Sequence, residues 1–327
     1  MNSDAKTEEG SFDEVNKWIR EYLDGVKKEF EERCSKWPIS IANPAPGEVT
    51  IGLFRRQYSL ACHIAANPGI WTPDVAPILL RCMVEVYIWL AWILESPDER
   101  AKLYIEDGLG KEKLILMHRA DELEQQGMNP DDDIMVQNSN DWIEHQKISF
   151  LVDVNTGTWS GLDARKMAGE CGCRDFYRFT YYMFSTAMHS SWNHVSRFDL
   201  QHCASPFHAF HKIPRKDFLP PTSFNFRLAA KYLDRTFELV DKKLNLDVPP
   251  PEVFYKSFRG TEDYFRKTPY YLTKPGGKSH IAVMDSNARL VPICQRYSFK
   301  DSEKYTKNTQ PSASICKRCA DHKDKFI

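Results

Sequence analysis

Up to about Pro249 the apolar residues recur every three or four positions, the period of helices buried on one side. Val15, Trp18, Ile19, Tyr22, Leu23, Val26 and Phe30 keep that spacing until Trp37-Pro38 stops it. Ser11 with Glu14 three residues on has the form of a capping box, so the first helix is expected to start there. A second runs roughly from Thr50 to Ala66 and ends before Asn67-Pro68-Gly69. Thr72-Pro73-Asp74, a cap followed by proline, opens the most hydrophobic run, Val75 to Leu94. Ser96-Pro97 starts the next helix, and the DGLG segment is expected to break it near residue 108 before it resumes to Gln126 and stops at Gly127. Further helices are expected over Ile134 to Val154 and, after a GTWSG loop and a short turn through Ala164 to Gly169, over Arg174 to His194 as a single element.

Ser196 to Pro221 has histidines and prolines but no period, and is expected to be a long loop over the bundle. Thr222 then caps a last strong helix with Phe226, Ala229, Ala230, Leu233, Phe237, Val240 and Leu244 on its buried face, ended by Pro249-Pro250-Pro251. Beyond it the pattern changes. SHIAVMD and RLVPIC flank Ser286-Asn287-Ala288, two strand-like runs around a turn. The expected fold is therefore mainly α: a disordered N-terminus (1–10), a helical bundle (11–248), a linker (249–268) and a small zinc-ribbon-like β-hairpin module (269–327).

Charge sharpens that division. The whole chain has a formal net charge of −1, but residues 269–327 carry eleven Lys/Arg against five Asp/Glu, a net of +6 that leaves −7 for residues 1–268. The basic end is where an anionic partner belongs. Val75 to Leu94 approaches membrane-spanning length, yet Arg81 and Glu85 interrupt it one turn apart, so a central bundle helix is expected and no membrane partner. Met1 to Gly10 is polar and lacks the form of a signal peptide, which makes the cytoplasm the expected location. The nine cysteines scatter singly through the first 203 residues and cluster at the end; the scattered ones are expected to be reduced and mostly buried.

His280, Cys294, Cys316 and Cys319 form the candidate metal site, with Cys316-Lys317-Arg318-Cys319 supplying a CxxC. Borderline and soft ligands on a segment too small for its own core favour tetrahedral Zn2+, because the metal stands in for the missing core. His322 is an alternative to His280, and the bland reading is a surface dithiol with an ordinary His280 and Cys294. The tail resembles small His…Cys…CxxC zinc modules of phage and actinobacterial proteins, although Gln295 follows Cys294 where those modules often have glycine. Such modules grip a partner, and the +6 charge makes nucleic acid, RNA or DNA, the expected one.

In the bundle, Arg81 and Glu85 are costly in an apolar helix unless they pair or serve a ligand. On the Arg174–His194 segment Arg178, Tyr181, Ser185, His189 and Trp192 form a polar stripe, and Phe176, Phe179, Met183 and Ala187 an apolar one. His189 is then either a satisfied core histidine or, with Arg81, Glu85 and Ser185, a catalytic group. RCMVE in one helix and Tyr181, Ser185, His189 and Ser191 in another resemble an uncharacterised bacterial and archaeal helical family distantly akin to the HEPN (higher eukaryotes and prokaryotes nucleotide-binding) bundles. That resemblance spans roughly residues 50–245 and implies a metal-independent RNase of toxin or antiviral defence systems. Arg178 stands eleven residues before His189, wider than the Arg-x4–6-His of that family, so Arg81 would have to replace it.

No GxSxG, GxGxxG or Walker-type loop is present, which speaks against a serine hydrolase, a dinucleotide enzyme or a P-loop NTPase. Two functions remain: a nucleic-acid-associated, RNase-like effector of prokaryotic defence, or a non-catalytic binding or regulatory protein whose polar residues are structural. Either is compatible with a homo-oligomer.

Overall fold

A computed structural model describes residues 4–154, 156, 160–203, 205 and 211–258, with side chains from residue 13, and the backbone alone of four short strands at 270–273, 279–284, 290–292 and 306–308. The described chain is mainly helical and divides into two compact units, Met1–Pro251 and Glu252–Ile327.

In the first unit the core is made by α1 (Asp4–Ser35), α2 (Ala45–Ala66), α3 (Ala76–Ile93), α7 (Arg174–Met188) and α9 (Ser223–Leu244). Helix α1 already begins at Asp4, so Ser11 lies inside it and does not cap it. The apolar helix α3 packs against α2, α7 and α9. It is long and apolar enough to cross a membrane by length and composition, but two-thirds of that stretch is buried inside the bundle. Thr222 caps α9 as expected, accepting a hydrogen bond from the Phe224 N–H, and Phe226, Ala229, Ala230, Leu233, Phe237 and Val240 are all buried. Polar clamps fix the helices in register. The Arg33 guanidinium, fully buried, donates to both Asp241 oxygens at 2.8 and 2.6 Å and ties α1 to α9. Gln57 donates to Thr236 (3.1 Å) between α2 and α9.

Helix α4 (Pro97–Gln125) runs unbroken through Asp107-Gly108-Leu109-Gly110, where a break was expected. Glycines in a helix interior cost about 1 kcal/mol each, but Leu109 is fully buried and starts a seven-residue seam with Leu116 and Leu123. That seam meets Val136 and Ile143 of α5 (Ile134–Phe150), so packing outweighs propensity. Asp133 caps α5 by accepting from the Met135 and Val136 N–H groups, and Arg119 of α4 holds the same carboxylate at 2.9 Å. Helix α5 ends four residues earlier than expected, because Leu151 takes a left-handed conformation (φ 52°).

The segment Arg174–His194 is not one helix. After the short α6 (Ala164–Glu170), α7 stops at Met188: Ser190 is left-handed (φ 47°), the Ser191 N–H donates to Thr186 O (2.9 Å) and the Ser190 N–H to Ala187 O (3.2 Å). This is a Schellman termination, built here on serine where glycine is usual. Helix α8 (Trp192–Phe198) follows, and the expected long loop contains strands β1 (Leu200–His202) and β2 (Lys212–Pro214), paired antiparallel with Gln201 opposite Ile213.

The second unit holds α10 (Val253–Ser257), β3 (Tyr270–Thr273), β4 (Ser279–Met284), β5 (Leu290–Pro292) and β6 (Thr306–Asn308). They form an antiparallel sheet in the order β5-β4-β3-β6, in which Val283 pairs with Val291 across the hairpin expected from the sequence.

Candidate functional site

Arg81 and Glu85 lie one turn apart on α3, and Arg81 reaches across to α7. Arg81 is only 3% exposed, and each of its contacts lies within the bundle. Its Nε donates to Ser185 Oγ at 2.9 Å, its Nη2 pairs with Glu85 Oε1 at 2.9 Å, and its guanidinium carbon sits 3.3 Å from the centre of the Tyr181 ring. The Ser185 O–H donates to Tyr181 O (2.7 Å), which leaves the hydroxyl oxygen free to accept from Arg81. Burial raises the Tyr181 phenol above its ordinary pKa, opposed by Arg81 and assisted by Glu85, so the ring stays neutral beneath the cation. The four residues form a clamp between α3 and α7, in which Arg81 Nη1 is buried without a hydrogen-bond partner among the described residues. A guanidinium held by a carboxylate, a hydroxyl and an aromatic face is positioned to fix two helices.

His189 stands apart from this clamp. It is the C-cap of α7, its N–H donating to Ser185 O (3.0 Å), and its exposed side chain has no hydrogen bond, ion pair or ring contact among the described residues. It keeps helical register one turn beyond Ser185, and the chain turns away only at Ser190. Among the described residues the buried histidine is His194 of α8, whose Nε2 lies 3.7 Å from Asp74 Oδ1 and whose ring packs on Phe198. The structure thus brings Arg81, Glu85 and Ser185 together and leaves out His189.

His280 lies on β4, opposite Leu272 of β3. Cys294, Cys316, Cys319 and the alternative His322 lie outside the described residues. Of the three loop histidines, His202 is on β1 and His211 precedes β2, while His208 is also outside them. Among the described residues no three His, Cys, Asp or Glu side chains group as a metal site.

One cluster escaped the sequence reading. Among the described cysteines Cys173 is buried and the other five are half-buried, so the expectation of mostly buried thiols is too strong. Cys173 stands at the start of α7, two residues after Cys171 and just past the left-handed Gly172. A hydrogen bond from Cys171 pulls the Cys173 thiol down to about 7 against burial, helped by the charge of Arg235 and by Tyr87, while Cys171 is pushed far up. Arg235 of α9 donates to the Tyr87 hydroxyl at 3.1 Å and stacks on Phe176 at 4.6 Å. The CGC triplet was the available signal; its partners, 86 residues before and 62 after Cys173, were not.

Residues 47–202 match the model of a family of unknown function, DUF5677. The match runs from α2 to β1 and includes Arg81, Glu85, Ser185 and His189. No curated protein and no solved structure matches the chain.

Proposed function

We propose that the protein binds single-stranded nucleic acid without cleaving it, and that the Arg81 clamp is structural. What carries this reading is the outer side of α7 and α8. Arg178, Tyr182 and His189 fall within about 40° of one another on the helical wheel, opposite the buried Thr180 and Phe184. Arg174, Arg178 and Arg197 are exposed and have no acidic partner among the described residues. Tyr182 is 65% and Trp192 72% exposed. Unpaired guanidinium groups beside open aromatic rings suit a phosphate backbone with stacked bases. Acidic charge is concentrated elsewhere: residues 106–150 carry eleven Asp/Glu against four Lys/Arg, and a polyanion avoids that arm.

The basic C-terminal segment belongs to the same proposal. With Zn2+ held by His280, Cys294, Cys316 and Cys319, it adds a second, sequence-tolerant phosphate contact through Lys317 and Arg318. Zinc analysis of protein prepared without chelator is expected to give about one metal per chain.

The test is full-length protein with a labelled single-stranded oligonucleotide. Salt-sensitive binding without cleavage is expected. Tyr182→Ala with Trp192→Ala is expected to weaken it about tenfold or more, and neutralising Lys317 and Arg318 to weaken it further. His189→Ala is expected to leave the melting temperature unchanged, since the side chain is exposed. Cleavage by the wild type that His189→Ala abolishes would reverse the proposal in favour of an RNase-like effector of prokaryotic defence.

A further inference from the structure

A cavity of about 520 Å³ opens between α2, α3 and α4, within the ordinary range for small-ligand sites. Its lining is ordered along α2. Glu48, Gly52 and Arg56 follow one another at steps of four and share one face, with Glu48 and Arg56 about 12 Å apart along the axis. A Cβ added at Gly52 would meet nothing within 4 Å, so the space passes directly over the backbone there. Cys82, Glu85, Val86 and Trp89 of α3 and Tyr104 of α4 complete the wall, with the two aromatic rings 6.1 Å apart.

The charges are arranged unequally. Glu48 and Arg56 have no ion pair or side-chain hydrogen bond among the described residues, whereas Glu85 is held by the buried Arg81 at 2.9 Å. The cavity therefore offers a free carboxylate toward one end, a free guanidinium toward the other, and a fixed acceptor beside apolar and aromatic surface. A purely anionic ligand would meet two carboxylates, and a purely cationic one would meet Arg56. A free α-amino acid carries its two charges too close together to serve groups two helical turns apart.

We propose that this cavity binds a short zwitterion whose ammonium and carboxylate are held several bonds apart and which carries apolar side chains, an apolar dipeptide being the simplest example. The carboxylate takes the Arg56 fork, the ammonium takes Glu48, the apolar side chains lie against Trp89 and Tyr104 over Gly52, and Glu85 accepts from the peptide N–H. Arg81 thereby acquires a second consequence, since it fixes the acceptor without touching the ligand. This site is independent of the nucleic-acid face on α7 and α8.

Calorimetry on the full-length protein tests it with four probes: leucylphenylalanine, its N-acetyl form, its C-terminal amide, and free phenylalanine. The first is expected to bind, and the other three to bind roughly tenfold more weakly or not at all. Arg56→Ala is expected to abolish discrimination against the amide alone, and Glu48→Gln discrimination against the N-acetyl form alone. Gly52→Leu fills the cavity at an exposed helical position, and is expected to abolish binding with no loss of melting temperature. The proposal is overturned if none of the probes binds the wild type, if Gly52→Leu binds as the wild type does, or if the blocked forms bind as well as the free dipeptide.

Discussion

Arg81 and Glu85 were legible because two charges inside an apolar run demand an explanation, and the clamp supplies it. Glu85 is a quarter exposed, so Glu85→Ala should cost about 2 kcal/mol, between the value for a surface pair and that for a fully buried one. Chemical denaturation measures it, and a shift near zero would mean that Ser185 and Tyr181 alone hold the cation. That α7 ends at His189 was not legible, because a helix end is decided here by two N–H groups, those of Ser190 and Ser191, which leave no trace in residue spacing. Cys173 gives a pH dependence with a definite sign. Its folded pKa of about 7 lies below that of an ordinary thiol, so its thiolate contribution to stability is complete above the unfolded thiol pKa. That contribution is lost as the pH falls from there through about 7. Thiolate ultraviolet absorbance should show a step near neutrality that Cys173→Ala removes; a midpoint at the ordinary thiol value would disprove the shift.

The helical period found every long helix of the first unit, and the errors lie at their ends and at glycines. The break expected at Gly108 did not occur because the Leu109, Leu116 and Leu123 seam has a partner, and a pattern within one helix cannot show what it will meet. Helices α4 and α5 pack chiefly on one another beyond the point where α4 leaves α2. Leu116→Ala should therefore cost about 2–4 kcal/mol, confined to this arm. Hydrogen exchange should then accelerate in α5 and the second half of α4 while α3 and α9 keep their protection; equal acceleration throughout would show that the arm and the core unfold together. The strands β1 and β2 were missed for a different reason. Each has only three residues, and a proline and histidines obscure any alternation.

At the scale of the molecule, the mainly helical character was readable from the period, and the chain forms two compact units that meet in sequence at Pro251. The ligand cavity was not readable, because its walls come from three helices and its floor is a glycine. The burial of α3 also matters while the chain is being made. Its covering helices are encoded far downstream, α7 beginning 81 residues and α9 130 residues after Ile93. At ribosomal speed α3 waits on the order of 10 s for α9. For that interval the newborn chain displays a stretch apolar enough to be taken for a membrane segment, with only α2 and the charges of Arg81 and Glu85 against it. The clamp that later joins two helices thus begins as the only pair of charges in that apolar stretch, made before Tyr181 and Ser185 exist to meet it.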